Sequence, residues 1–387
     1  MASEQDLVTV TAHCLCKANI FTTKVSKSEL PLKAMACHCD SCRHLTGALF
    51  TVGTRWPNPS PNIDISALKT FHFGPSCDTH FCGTCSTPLF FTNPKDPNEP
   101  LGIATGALEN TPEELVKIVH HIFVEDTKDG GASVWMRKVN KDGVEAKRFK
   151  ERSRGENAEE YPADWPAAET LTGYETRRDE SVPIRCKCEG VDLVWHRGNY
   201  EGKKKEELPW IIDPTTHKSL AGFCACDSCR VSGGIDVCNW AFGELENISF
   251  NASANKTFPN NSNELRALVD AKDPSIGTLT YYASSPDVQR YFCSNCAACI
   301  FYATDDRPQI VDIAVGVLRA SDGARAEGFL SWAFGVFSHI GDSKGGWRHG
   351  FFERVAKESD EWREERGYPK NWLRVAREQA AAKQGKA

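Results

Sequence analysis

The stretch Cys37-His38-Cys39-Asp40-Ser41-Cys42-Arg43 recurs further along the chain as Cys224-Ala225-Cys226-Asp227-Ser228-Cys229-Arg230. Upstream of each lies a C-x-C pair, Cys14 with Cys16 and Cys186 with Cys188. Downstream of each lies a C-x-x-C pair, Cys82 with Cys85 and Cys293 with Cys296. The flanks repeat as well: Phe81-Cys82 as Phe292-Cys293, Gly106-Ala107-Leu108 as Gly316-Val317-Leu318, and Asp126-Thr127-Lys128 as Asp342-Ser343-Lys344. Matched cysteines in one order, with matched neighbours, are the mark of an internal repeat. The sequence therefore predicts two tandem copies of one small domain, at 8–144 and 182–349, joined by a linker over 145–181 and followed by a helical tail over 350–387.

Inside both copies, short β-branched and aromatic runs such as Ile118-Val119-His120-His121-Ile122-Phe123-Val124 and Ile310-Val311-Asp312-Ile313-Ala314-Val315 alternate with Gly, Pro, Asn and Asp. This pattern predicts a mainly β fold of small antiparallel sheets. The second copy is longer between Cys188 and Cys224 and between Cys229 and Cys293. The additions, with Lys203-Lys204-Lys205 and the polar run from Asn251 to Asn263, read as surface loops. The linker carries Tyr161, Trp165 and Tyr174 as docking residues, and in the tail Asn371 is placed to cap a helix.

Composition narrows the function. The 387 residues are 40% hydrophobic and 25% charged, as in ordinary globular domains. A net charge of −6 lacks the basic footprint that dominates nucleic-acid affinity. No window approaches the roughly 18 apolar residues of a membrane span. The opening Met1-Ala2-Ser3-Glu4-Gln5-Asp6 has neither a basic nor an apolar region, so no secretory signal is read there and a cytoplasmic protein is expected. In a reducing compartment seventeen cysteines point to metal ligation rather than disulfides. The sequons at Asn247, Asn251, Asn255 and Asn260 then read as chance matches.

The spacing separates two kinds of site. A C-x-x-C turn brings two thiolates together, and the side chains of C-x-C share one face of a strand. Pairing early with late motifs gives two four-sulfur cages, Cys14, Cys16, Cys82 and Cys85, and Cys186, Cys188, Cys293 and Cys296. A closed cage of this kind holds zinc for folding. The middle clusters, Cys37, Cys39 and Cys42, and Cys224, Cys226 and Cys229, supply three ligands each, the number typical of a zinc that keeps one position open. His38 or His44 would close the first, whereas the second has Ala225 and Val231 at those places. Four zinc ions per chain are expected. Arg43 and Arg230 are candidate carboxylate partners for a substrate, or surface ion pairs. Cys77, Cys238 and Cys299 fall outside the pattern and read as apolar thiols.

Cys14-Leu15-Cys16, Cys37-His38-Cys39-Asp40-Ser41-Cys42-Arg43 and Phe81-Cys82-Gly83-Thr84-Cys85 resemble the family of glutathione-dependent formaldehyde-activating enzymes and centromere protein V-like proteins. The resemblance spans about 8–135 and, more loosely, 182–346. It implies a β-tent fold, a structural zinc on the outer four cysteines and a catalytic zinc on the middle three. It also implies carbon–sulfur lyase chemistry, the joining of formaldehyde to the thiol of glutathione or its reversal, with glutathione or a related small thiol as partner. The alternative within the resemblance is a non-catalytic interaction module. The second copy departs from the pattern at Ala225, in its insertions and at Ala297-Ala298-Cys299, where the first has Ser86-Thr87-Pro88.

Overall fold

The computed structural model describes residues 6–57, 63–156, 158–251 and 256–384. The residues Met1–Gln5 and the sequon at Asn255 lie outside them. In the first half, β1 (Leu7–His13) and β2 (Ile20–Ser26) form an antiparallel hairpin that buries Val8, Val10 and Ala12 on one face. Then follow β3 (Leu32–Cys37), helix α1 (Asp40–Thr46), β4 (Thr51–Arg55), β5 (Lys69–Gly74), β6 (Cys77–Phe81), β7 (Pro88–Thr92), β8 (Gly102–Ala104) and β9 (Val116–Ile122). A short β10 (Lys147–Arg148) comes from the segment between the halves.

The second half contains β11 (Ser181–Arg185), β12 (Asp192–His196), β13 (Ser219–Cys224), α2 (Asp227–Gly233), β14 (Cys238–Glu244), β15 (Ile248–Phe250), α3 (Ser262–Asp270), β16 (Leu279–Ser285), β17 (Val288–Cys293), β18 (Cys299–Thr304), β19 (Ile310–Ala314) and β20 (Leu330–Ser338). Helices α4 (Trp347–Glu365) and α5 (Trp372–Gln384) end the chain.

The protein is mainly β, as its residue pattern predicts. The first main sheet runs β10-β9-β3-β4-β8-β7-β6-β5 and the second β16-β17-β18-β19-β14-β13-β20. Read from its other end, and leaving β10 aside, the second order matches the first strand for strand. Two small antiparallel sheets, β1-β2 and β11-β12-β15, accompany these eight- and seven-stranded main sheets. The main sheets are mixed, because β9 lies parallel to β3 and β20 parallel to β13. Each returning strand reaches its place beside β3 or β13 after a single 3-10 turn, Thr105–Ala107 or Val315–Val317, and a loop. Period-two alternation does not encode that crossover.

One contiguous apolar core runs through both halves. Trp135 lies 5.6 Å from Phe223, 5.8 Å from Trp332 and 6.0 Å from Trp362, ring centre to ring centre. The end of the stretch assigned to the first domain is thus embedded among second-half aromatics. The segment between the halves is docked at several points. Tyr161 stacks on Trp165 at 3.8 Å, buried Arg148 donates to the carbonyls of Trp165, Pro162 and Ala163, and the Tyr174 hydroxyl donates to Asp213 at 2.7 Å.

The expectation that the second-half additions are surface loops is corrected by their packing. Tyr200, Ile211 and Ile212 form a small core with Leu220, and α3 buries Leu265 and Val269. The Asn261 side chain caps α3. Their apolar residues are spaced among polar ones, which hid the buried face. In the tail, the Asn371 carboxamide accepts from the Leu373 amide at 3.0 Å. Helix α4 buries Phe351, Phe352, Val355 and Trp362, and its Arg354 donates to the Val139 carbonyl at 2.6 Å, so it ties both halves together.

Candidate metal centres

Both short helices begin on a cysteine. Cys39 is the N-cap of α1, its sulfur accepting from the Cys42 amide at 3.3 Å, and Cys226 caps α2 in the same way from Cys229. Each helix ends on a left-handed glycine, Gly47 at φ 79° and Gly234 at φ 63°, the conformation that glycine adopts without strain. A strand end, a cap and one helical turn thereby gather Cys37, Cys39 and Cys42, and Cys224, Cys226 and Cys229, each trio with its sulfurs within 4.8 Å of one another. The outer motifs gather into two groups of four, Cys14, Cys16, Cys82 and Cys85, and Cys186, Cys188, Cys293 and Cys296.

These groups fit a metal ion. Sulfurs bound tetrahedrally at about 2.3 Å stand roughly 3.8 Å apart. Here Cys14 and Cys16 are 3.4 Å apart, Cys16 and Cys82 3.6 Å, Cys188 and Cys293 3.5 Å, and Cys37 and Cys39 3.5 Å. Backbone amides point at the sulfurs, as thiolate ligands require: Asn19 to Cys14, Cys16 to Cys85, Val191 to Cys186 and Cys296 to Cys293, at 3.3 to 3.4 Å. All seventeen cysteines are free thiols. An all-sulfur donor set selects soft or borderline metals, zinc among them.

Contact among the sulfurs makes their titration unequal. The neighbouring Cys37 and Cys42 pull Cys39 down to about 3, while Cys37 is pushed up to about 12, chiefly by Cys39. In the second trio the lowered thiol is Cys229, through Cys224, Cys226 and Cys238 and the charge of Arg290.

The trios also differ in what surrounds them. His38, between two ligands of the first, is turned away. Its Nε2 lies 2.9 Å from Nδ1 of His121, whose Nε2 lies 2.9 Å from the Met136 carbonyl. Because that carbonyl can only accept, His121 carries its proton on Nε2 and accepts from His38 on Nδ1. Burial lowers both rings, His121 to about 4. His44 is likewise held neutral, lowered to about 3 first by burial and then by the charges of Arg43, Arg319 and Lys187. Among the described residues, no histidine, carboxylate or fourth cysteine joins the first trio at ligand spacing.

In the second trio the Arg290 guanidinium sits 3.4 Å from the Cys229 sulfur, and Cys238 lies opposite Cys224 in the strand pairing. The corresponding first-half positions hold Thr79 and Thr51, both uncharged. Cys238 is thus no isolated apolar thiol, and the cysteine pattern alone did not reveal it.

Arg43 and Arg230 are 5% and 3% exposed, and both turn inward. Arg230 donates to Asp227 and, from Nη1, to the carbonyls of Gly106 and Leu108 in the other half. These donors are spent within α2 and on the contact between halves. Arg43 pairs with Asp40 but leaves Nε and Nη1 without a partner. Lys187 had not been singled out by its sequence. It lies between two cage cysteines, yet its amide donates to the His44 carbonyl at 2.9 Å and its ammonium to the Ser41 hydroxyl at 2.8 Å.

Fold and site together define a mainly β protein with four clusters of cysteines suited to metal ions. Residues 9–126 match the family model described as glutathione-dependent formaldehyde-activating enzyme, which supports a glutathione-related, zinc-binding function. No curated protein and no solved structure shows a significant match to the chain. Among the described residues, no helix is long and apolar enough to cross a membrane.

Proposed function

We propose that the chain is a tandem duplication holding four zinc ions, and that its first copy makes or breaks a carbon–sulfur bond in an adduct of glutathione or a related small thiol. The observation that carries this reading is the Cys37, Cys39 and Cys42 trio, three ligands without a fourth at ligand spacing, inside the segment matched to the family. Zinc on three thiolates supplies a position that keeps an incoming thiol ionised. The chain's own residues do the rest. The Cys42 amide holds the Cys39 sulfur as acceptor, the buried His38–His121 pair braces the strand end behind it, and neutral His44 adds no charge of its own to the helix. Two outer cages of four sulfurs serve folding. The second trio reads as a supporting centre, because the Arg290 guanidinium already occupies the flank of Cys229. Abundant free thiols suit a reducing, cytoplasmic setting.

Calorimetry with glutathione and S-methylglutathione tests the reading. The thiol is expected to bind more tightly and to release a proton, so its enthalpy changes with the ionisation enthalpy of the buffer. A thioether has no proton to lose. Equal affinity and a buffer-independent enthalpy, with metal content verified, would overturn it in favour of a non-catalytic module.

A further inference from the structure

The two halves are crossed at their centres, and the charges they lend each other are not alike. Helix α1 packs against the second-half turn Val315–Val317, and α2 against the first-half turn Thr105–Ala107. The residue two places after the first turn is Glu109; the residue two places after the second is Arg319. Between the C-x-C cysteines stands Leu15 in the first half and Lys187 in the second. Two basic residues of the second half are therefore brought to α1, whereas their counterparts in the first half are acidic and apolar.

From these contacts we infer that Lys187 and Arg319 form a cationic shelf beside Cys37, Cys39 and Cys42 that holds a carboxylate of the substrate. Lys187 reaches Ser41, the residue preceding ligand Cys42, and among the described residues has no carboxylate within ion-pair distance. Among the described residues, Nε of Arg319 is buried without a partner, which is costly unless a ligand supplies an acceptor.

The neighbouring anions do not fill the need. Asp40 pairs with Arg43 and Glu189 with Arg319, the latter at 3.2 Å, but these carboxylates are 59% and 60% exposed. Asp126 is spent on the Asp40 amide at 3.2 Å. Exposed ion pairs contribute little, so a substrate carboxylate can displace Glu189 from the arginine fork. The substrate class is then a thiol, or thiol adduct, carrying at least one carboxylate. The thiol end rests on the function proposed above; the carboxylate end stands on these contacts alone.

The test is calorimetry on the full zinc-loaded chain, wild type, Lys187→Gln and Arg319→Gln, with glutathione, S-methylglutathione and the uncharged thiol 2-mercaptoethanol. Loss of one charge-assisted contact is expected to weaken both glutathione compounds by about tenfold, an effect that shrinks with added salt. Binding of 2-mercaptoethanol should not change. Melting temperature and metal content are followed in parallel, and Arg319→Gln decides if Lys187→Gln disturbs the adjacent cage. Wild-type affinity of the variants for both glutathione compounds, or no binding of either by the wild type, overturns the shelf. Weakening of both, with no advantage of thiol over thioether in any protein, retains the shelf and removes the thiol reading of the metal centre.

Discussion

The amide of Gly316 donates to the carbonyl oxygen of Gly47 across 2.9 Å, and Gly106 meets Gly234 in the same way at 3.3 Å. Both bonds cross between the halves, and both join a turn of one half to the end of a cysteine-bearing helix in the other. The approach leaves no room for a side chain. A Cβ on Gly316 would overlap the backbone of Gly47 and Ala48, and one on Gly106 that of Gly234 and Ile235. Since α1 and α2 are each capped by one trio cysteine and carry another, each half packs against the helix that completes the other half's trio.

Gly316→Ala and Gly106→Ala should therefore both be destabilising. Overpacking typically costs about 1–3 kcal/mol, and an overlap with backbone rather than with a flexible side chain belongs at the upper end. Chemical denaturation of the two variants checks this. Midpoints equal to wild type would mean that the halves can separate at these turns without loss.

A buried ion pair seals the same boundary. Arg348 Nε lies 2.8 Å from Asp236 Oδ1, both side chains almost fully buried, and Arg348 also donates to the carbonyls of Thr105 and Glu109. Asp236 accepts in turn from the Thr105 hydroxyl. Removing one partner of such a pair strands the other charge, so Arg348→Met should cost about 3–5 kcal/mol. Adding Asp236→Leu to Arg348→Met should recover part of that loss, because the stranded carboxylate is gone. A double variant no more stable than the single one would show that the carbonyl bonds, not the charge, carry the cost.

How far the sequence could be read follows from how local each signal is. The four clusters of cysteines are legible because C-x-C and C-x-x-C set ligand geometry within a few residues. The mainly β character is legible because Val116–Ile122 and Ile310–Ala314 are rich in β-branched residues. The placement of β9 beside β3 is not, since it depends on a crossover. Arg230 reads from sequence as a substrate partner or a surface ion pair because its partners, the Gly106 and Leu108 carbonyls, are remote in sequence. Lys187 stands in plain view between Cys186 and Cys188, but its contrast with Leu15 acquires meaning only once the halves are seen to be crossed.

Lys218 offers a pH signature of the docked linker. It is 1% exposed, and its ammonium donates to the carbonyls of Tyr174 at 2.6 Å, Glu327 at 2.7 Å and Gly173 at 3.3 Å. Burial lowers it to about 8. Between that value and the free lysine value of about 10.4, the unfolded chain holds a proton that the folded chain has released. The contribution of Lys218 to stability is least favourable below pH 8 and improves as pH rises through that window. Lys218→Met lacks the titration. Melting temperatures measured in parallel should show wild type minus variant increasing from pH 8 to pH 10, and a constant difference would place the proton on Lys218 throughout.

The metals themselves give the last prediction. Two groups of four sulfurs and two of three should bind four zinc ions per chain purified under reducing conditions, and elemental analysis finding two or fewer would sink that assignment. The classes should also separate in mutants. Cys82→Ser or Cys293→Ser opens a group in which three of the four cysteines are buried, so the binding free energy that supports folding is lost and thermal stability should fall sharply. Cys39 is half-buried at a helix cap, and its replacement leaves both cages intact. Cys39→Ser should keep a wild-type circular dichroism spectrum while losing one zinc and the preference for thiol over thioether. A chelator titration follows the same order, the trios releasing metal before the cages, because three protein ligands hold an ion less tightly than four. Equal loss of folding in Cys39→Ser, Cys82→Ser and Cys293→Ser would contradict the division into working and structural centres, whereas loss of folding in the cage variants alone supports it.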